Sequence, residues 1–423
     1  MNNTIIQNEY AIEYLLKLYL EGYKFYLYGA GGGASSYDKI SIAALLSINI
    51  KPISFLDDDV RKQGVIKNEI DVINPDVLIG CTDYIVIIIS SNYFESISKK
   101  INSLKLTNQY IFTATSLLRN VNKNSFDKVM DYSEVQRRIH MHNAKFIRIQ
   151  NKILESKKLN LNIVDIQVTE RCTMKCLDCS NLMQYYDKPV NAEPEILESS
   201  VIKLLDAVDE ISELRILGGE PFLYKKLNIV IDIVANNTKV DKVLIYTNAT
   251  FVPNEDILKS MINEKVIVEI TDYIGQSKKK EEFILIMKKL GINYICHEPQ
   301  NWTDSARIIS NKKSHNELSL MFEKCCVNDV LTLLHGKIYH CPFSANVHNL
   351  RAIPTDLTDF VDINSNDNTV SLKNRLAKFY FGSNFLNSCK VCLGRDFTQE
   401  EVIPAIQTKK AIPIPVISFK QIV

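Results

Sequence analysis

The sequence predicts an α/β chain in three structural parts, and three observations carry the prediction. Apolar runs of strand length alternate with helix-length amphipathic segments through most of the 423 residues. A glycine-rich turn, Gly29-Ala30-Gly31-Gly32-Gly33-Ala34, separates the first strong strand from the helix after it. The ten cysteines are uneven, with three between Cys172 and Cys179 and five between Cys325 and Cys392. A chain of this length exceeds one ordinary hydrophobic core, so several domains are expected.

Composition narrows the function classes. Lys plus Arg (50) balances Asp plus Glu (49), for a formal charge of +1. That leaves no broad field for nucleic acid, and no nucleic-acid partner is expected. With 46% hydrophobic and 23% charged residues, the chain reads as a soluble globule. Its longest apolar runs, such as Tyr84 to Ile89, are strand-sized and far short of a membrane span. The start, Met1-Asn2-Asn3-Thr4, lacks the basic region of a signal peptide, so a cytoplasmic location without membrane attachment is expected. In that reducing compartment, spaced cysteines are metal ligands or reactive thiols more often than disulfides.

Residues 1–123 read as the first domain. A helix from Ile5 to Leu20 precedes a strand, Lys24 to Tyr28, then the glycine turn and a helix from Ser36. A strand from Pro52 to Leu56 ends in Asp57, Asp58 and Asp59. Another strand, Tyr84 to Ser90, a helix from Tyr93 to Leu104 and a strand from Tyr110 to Thr113 follow. This is the order of a Rossmann-like half. Gly29, Gly31, Gly32 and Gly33 are candidate binding residues, because backbone N–H groups at a helix start stabilise phosphate. The acids after the second strand suit ribose hydroxyls. The segment resembles the small Rossmann-like domain of bacterial sugar acyltransferases, which implies a nucleotide or nucleotide sugar; a dinucleotide and a bare scaffold are equal readings.

Residues 124–160 are expected to form a helical connector. From 161 to 321, strands at Ile163–Val168, Leu214–Leu217, Lys242–Thr247, Lys265–Ile270 and Asn293–Cys296 alternate with helices. That repetition predicts a parallel βα partial barrel with its chemistry at the C-terminal strand ends. Residues 322–400, with short strands and cysteines, read as a small α+β domain, and 401–423 as a tail.

Cys172, Cys176 and Cys179 follow the first barrel strand directly. Structural zinc is normally closed by four ligands. Three thiolates on an iron–sulfur cluster leave one iron open. The spacing resembles the radical SAM superfamily, which implies a partial (β/α)6 barrel and a [4Fe–4S] cluster that binds S-adenosylmethionine (SAM). It also implies reductive cleavage of SAM to a 5′-deoxyadenosyl radical, with electrons from a donor such as flavodoxin or ferredoxin. In that family the residue before the last cysteine is often aromatic; here it is Asp178.

The resemblance extends to Gly218-Gly219-Glu220-Pro221 at the second strand end, similar to the motif that holds SAM's amino group. Thr247-Asn248 at the third strand end is similar to the family's TNG motif, with simple turn chemistry the competing reading. At the fourth strand end, Asp272 and Tyr273 occupy places where the family puts residues facing SAM or substrate.

The second group reads Cys326-x9-Gly336-x4-Cys341, then Cys389-x2-Cys392. Gly336 suits a hairpin turn between Val330–Leu334 and Lys337–His340. The pattern resembles the twitch domain, a shortened SPASM-like unit, which implies one auxiliary [4Fe–4S] cluster on Cys326, Cys341, Cys389 and Cys392. A zinc ribbon is the alternative. Spacing favours Cys326, leaving Cys325 as a spare or a candidate catalytic thiol. The expected substrate is a small molecule, a sugar or nucleotide sugar of polysaccharide or natural-product biosynthesis, undergoing oxidation, epimerisation or dehydration. Maturation of a ribosomal peptide and a non-catalytic metal scaffold are the rivals.

Overall fold

The structure is a computed structural model that describes residues 6–31, 37–126, 132–153, 158–299, 301–395 and 400–417. It divides into two compact units, Met1–Glu155 and Ser156–Val423. The α/β class expected from the sequence is the class observed.

The first unit is built on strands β1 (Ile6–Gln7), β2 (Lys24–Tyr28), β3 (Ser54–Leu56), β4 (Ile66–Lys67), β5 (Ile70–Ile73), β6 (Ile85–Ile89) and β7 (Gln109–Thr113). Their spatial order is β1-β7-β6-β2-β3-β5-β4, parallel except for the β4–β5 pair. The sheet is buried on both faces, which explains the uninterrupted Ile85-Val-Ile-Ile-Ile89 run. On β2, Phe25 and Leu27 enter one core while Tyr26 and Tyr28 enter the other. The chain winds from β2 to β3 on one side and to β6 on the other, and Gly29 lies where the directions part. The β4–β5 hairpin was not anticipated: its turn, Asn68-Glu69, takes left-handed φ values of 50° and 61° without a glycine.

The expected connector is largely a helix, Tyr132–Ile153, that belongs to this unit. Its Val135 and Ile139 complete one core and Phe146 the other.

The second unit carries β8 (Asn160–Thr169), β9 (Glu210–Gly218), β10 (Val240–Thr247), β11 (Val266–Thr271), β12 (Asn293–His297), β13 (Trp302–Thr303), β14 (Val330–Leu334), β15 (Lys337–Tyr339), β16 (Phe360–Asp362) and β17 (Glu401–Val402). Eight form one sheet, ordered β12-β11-β10-β9-β8-β14-β15-β16, and β13 pairs separately with β17. The strands from β12 to β14 in this order are all parallel. β14, β15 and β16, from the segment expected to form a small α+β domain, lie in this same sheet: β14 pairs with β8 in register Thr332 to Asp165.

Alternation on these strands divides two environments. Val164, Ile166, Val168, Leu214, Ile216, Val243, Ile245, Val268 and Ile270 join the core that includes Leu197, Val201, Leu227, Ile231, Phe283 and Met287 of the covering helices. Asp165, Gln167, Glu213, Arg215, Tyr246 and Glu269 occupy the opposite, inner face. The β14–β15 turn, His335-Gly336, has φ of 47° and 78°. The left-handed φ at Gly336 is what favours glycine there; a Cβ would also lie 2.5 Å from Asn364 Nδ2, which would have to move.

Candidate metal centres

The first cysteine loop rests on the end of β9 because two glycines allow it. A Cβ on Gly218 would stand 2.3 Å from the Thr169 carbonyl oxygen, and one on Gly219 2.3 Å from that of Arg171. With no Cβ, Gly219 N–H donates to Thr169 (3.0 Å) and Glu220 N–H to Arg171 (2.8 Å). Pro221 then opens a 3-10 turn, Pro221–Leu223. The fully buried Glu220 carboxylate accepts from Thr247 Oγ1 (2.9 Å), Asn248 N–H (3.0 Å) and Phe222 N–H (3.3 Å). Burial pushes its carboxyl up to about 7, against those hydrogen bonds, which pull it down. Glu220 thus ties the ends of β9 and β10 together.

Asn248 continues the brace: its Nδ2 lies 3.7 Å from Cys172 Sγ and 3.2 Å from Thr173 Oγ1. Cys172, Cys176 and Cys179 share an apolar cluster with Met174, Ala405, Tyr273 and Trp302. Burial raises all three thiols, Cys176 to about 11. Tyr273 packs edge-on to Trp302 at 6.0 Å, and its phenol is pushed up by burial and then by the three cysteines it faces. Asp272 is engaged elsewhere, 2.6 Å from Lys280. Buried Asp178 pairs with Arg307 at 3.3 Å.

Sequence reasoning missed the tail. Leu177 N–H donates to Ile406 (2.7 Å), Lys175 N–H to Gln407 Oε1 (2.7 Å), and Gln407 Nε2 to Cys176 Sγ (3.2 Å). No local motif marks Gln407. Asn181, whose Nδ2 donates to the Gly218 carbonyl (3.1 Å), was also missed.

Four further cysteines surround a cavity: Cys325, Cys341, Cys389 and Cys392. Cys326, the residue favoured by spacing, is absent from its lining, and its N–H is spent on the Arg395 carbonyl (2.9 Å). Cys325 is the C-cap of the helix His315–Lys324, in extended conformation, and is the member of the adjacent pair that lines the cavity. Backbone N–H groups reach three of the sulfurs: Ser344 to Cys341, Leu386 to Cys389 and Gly394 to Cys392, at 3.3–3.4 Å. Asn311 Nδ2 clamps the later pair through the carbonyls of Cys389 (2.7 Å) and Cys392 (2.8 Å). Burial pushes Cys325, Cys341 and Cys392 up to about 12.

Both groups fit a cationic cluster, which offsets the cost of ionising buried thiols. Among the described residues, no three His, Cys, Asp or Glu side chains converge as ligands of one metal ion. A cluster places each thiolate on a different iron and asks for a space between them, as the cavity provides.

Residues 166–285, which contain the first loop and its braces, match the family described as "4Fe-4S single cluster domain". The match covers 120 of the 423 residues, and over that span the chain is similar to this family. A [4Fe–4S] cluster is the group that this family's description names. Two GTP 3′,8-cyclases are similar over part of the chain: that of Clostridium acetobutylicum at 30% identity over 96 residues, 22% of this chain and 29% of the relative. That of Desulforamulus reducens is 26% identical over 116 residues, 26% of this chain and 35% of the relative. The chain thus spans about a third of these relatives' length. A structure of BtrN with AdoMet and 2-DOIA has 18% identity and TM-score 0.36, covering 57% of this chain and 97% of that one. A structure of anSMEcpe with bound AdoMet has 13% identity and TM-score 0.34, covering 60% and 93%.

In the first unit, Gly29 and Gly31 have φ of 107° and 71°, while Gly32 and Gly33 lie outside the described residues. The neighbouring acids have protein partners. Asp57 accepts from Ala30 N–H (2.8 Å), Asp58 from Tyr28 Oη (2.8 Å), and Asp59 pairs with Arg61 (2.8 Å). Among the described residues, no helix is long and apolar enough to cross a membrane.

Proposed function

We propose that this protein is a radical SAM enzyme that abstracts hydrogen from a polyhydroxylated small molecule, a sugar or the sugar end of a nucleotide sugar. The observation that carries the reading is the buried Cys172, Cys176 and Cys179 loop, braced by Gly218–Glu220, Asn248 and Gln407. These cysteines would hold the [4Fe–4S] cluster, and Cys325, Cys341, Cys389 and Cys392 an auxiliary one. When bound, cluster and SAM together supply a 5′-deoxyadenosyl radical upon one-electron reduction by a donor protein.

The chain's own residues would align and shield the reactants. Gly218 and Gly219 expose backbone beside the loop. The three bonds to Glu220 engage its carboxylate within the fold, so its part is to keep the two strand ends in register. Tyr273 and Trp302 wall the cysteines against water. The inner face of the barrel supplies hydrogen-bonding groups suited to hydroxyls: Asp165, Gln167, Glu213 with Arg215 at 2.5 Å, and Glu269 with His297 at 3.1 Å. Arg215 also lies over the Tyr246 ring at 5.6 Å. Asp165 is 3% exposed, and its Oδ1 is buried without a hydrogen-bond partner, as is Thr332 Oγ1 on the neighbouring strand. Carboxylates there suit a sugar ring and repel phosphate, which favours the sugar end of a nucleotide sugar. The outcome is an oxidation, epimerisation or dehydration.

Anaerobic incubation of reconstituted protein with dithionite and SAM tests the reading. 5′-Deoxyadenosine is expected from the unsubstituted chain and none from the triple variant Cys172→Ala, Cys176→Ala, Cys179→Ala. Stoichiometric zinc with negligible iron in anaerobically isolated protein would reject it. Turnover of a peptide but of no sugar would reject the substrate class alone.

A further inference from the structure

Arg395 is the charged side chain in the lining of the second cysteine cavity. The rest of the wall is cysteine, serine, glycine and apolar side chains such as Phe322, Phe343 and Leu386. Arg395 Nε is buried and has no hydrogen-bond partner. An unmet buried N–H on a charged group is costly, so the fold holds it in readiness for an acceptor. The backbone fixes it there: Gly394, at φ 91°, turns the chain after Cys392, and the Arg395 carbonyl accepts from Cys326. None of the apolar wall groups is an acceptor for it.

We propose that Arg395 tunes the auxiliary cluster, its guanidinium donating to cluster sulfur and its charge raising the cluster's reduction potential. The inference rests on the auxiliary-cluster reading above. Hydrogen bonds to sulfur and net charge are two of the quantities that set such potentials. A four-thiolate cluster is anionic, and the site pairs it with a buried cation as charge balance requires. The same residue stands close to the first centre. Ser180, next to Cys179, lines the cavity with Arg395. A raised potential makes the auxiliary cluster a better acceptor of an electron from a substrate radical on the inner face. When bound, the cluster held by Cys325, Cys341, Cys389 and Cys392 would supply the acceptor for the one electron that the substrate radical gives up, and the proton lost with that electron would pass to water. Substrate oxidation is then the outcome this site serves.

The test is an EPR-monitored redox titration of the full-length, two-cluster protein, with the first cluster as internal reference. Arg395→Met should retain about eight irons and shift the auxiliary midpoint to lower potential, further than the first cluster's. Arg395→Lys, which keeps the charge, should recover part of that shift. An unchanged auxiliary midpoint in Arg395→Met with both clusters present overturns the proposal. If Arg395→Met loses the second cluster, Arg395→Gln is titrated instead: a lowered midpoint supports the proposal and an unchanged one overturns it. Four irons in the unsubstituted chain, indifferent to Cys325→Ala, would instead overturn the auxiliary-cluster reading itself, and this inference with it.

Discussion

Gln407 Nε2 lies 3.2 Å from Cys176 Sγ, joining residues 231 positions apart. The amide donates toward the sulfur while its own oxygen accepts from Lys175 N–H, so one side chain fixes both the ligand and the loop backbone. The contact is removable without touching a cysteine. Gln407→Ala should leave the fold intact and weaken the first centre by about 1 kcal/mol, a roughly fivefold faster loss of iron to a chelator. Iron release followed by absorbance checks this. Identical release rates would mean that the tail merely passes by the loop.

The two glycines of β9 give a sharper outcome, because the atoms a methyl would meet are mostly backbone. In Gly219→Ala the new carbon would stand 2.3 Å from the Arg171 carbonyl oxygen and 2.6 Å from Cys172 Cβ. Either the loop lifts or the strand end moves, at a cost of about 1–3 kcal/mol. The variant should lose the first cluster's iron and SAM binding and melt several degrees lower. Gly382→Ala, at a helix end with nothing within 4 Å, is the control and should melt at or above the parent temperature. Equal iron in Gly219→Ala and the parent would show that the contact is slack.

Much of this site was legible in the chain because its parts are contiguous. The three cysteines lie on one loop, the glycine pair ends one strand, and Gly336 makes one turn. What escaped depends on three-dimensional closure. Gln407 and Asn311 reach their cysteines through pairings that no local spacing encodes. The choice between Cys325 and Cys326 turns on where a helix stops: a count of residues back from Gly336 favours Cys326, while the cavity wall holds Cys325. The helix Tyr132–Ile153 shows a related effect: Val135, Ile139 and Phe146 look sparse in sequence, yet they fill two cores at once. The hairpin of β14 and β15 was foreseen, but its addition to β8 was not, because sheet order is a long-range property.

The adjacent pair of cysteines separates these readings directly. Cys325→Ala should remove about four of about eight irons, while Cys326→Ala should retain them all. Iron and sulfide analysis with EPR of the reduced protein decides the matter. The reverse pattern would restore the assignment that spacing favours, and retention in both variants would point to a ligand beyond the four cysteines of the cavity.

Asp165 predicts a pH dependence. Burial pushes its carboxyl from 3.8 up to about 6, outweighing the opposing pull of Arg215. Between those two values the folded state holds more protons than the unfolded state, so stability falls as pH rises through that window. The contribution lost is about 3 kcal/mol, and above pH 6 the charged carboxylate is held in place against its own desolvation. Asp165→Asn has no proton to lose and should therefore melt higher than the parent at pH 8. Its advantage should shrink through pH 6 and vanish near pH 4. Calorimetric melting curves at these three values make the comparison. The same substitution should weaken binding of the polyhydroxylated substrate, since an amide oxygen is a weaker acceptor than the orphaned carboxylate oxygen it replaces. Parallel melting curves for the two proteins across the whole range would show that Asp165 titrates as an ordinary surface carboxylate, and would remove it from the inner-face site.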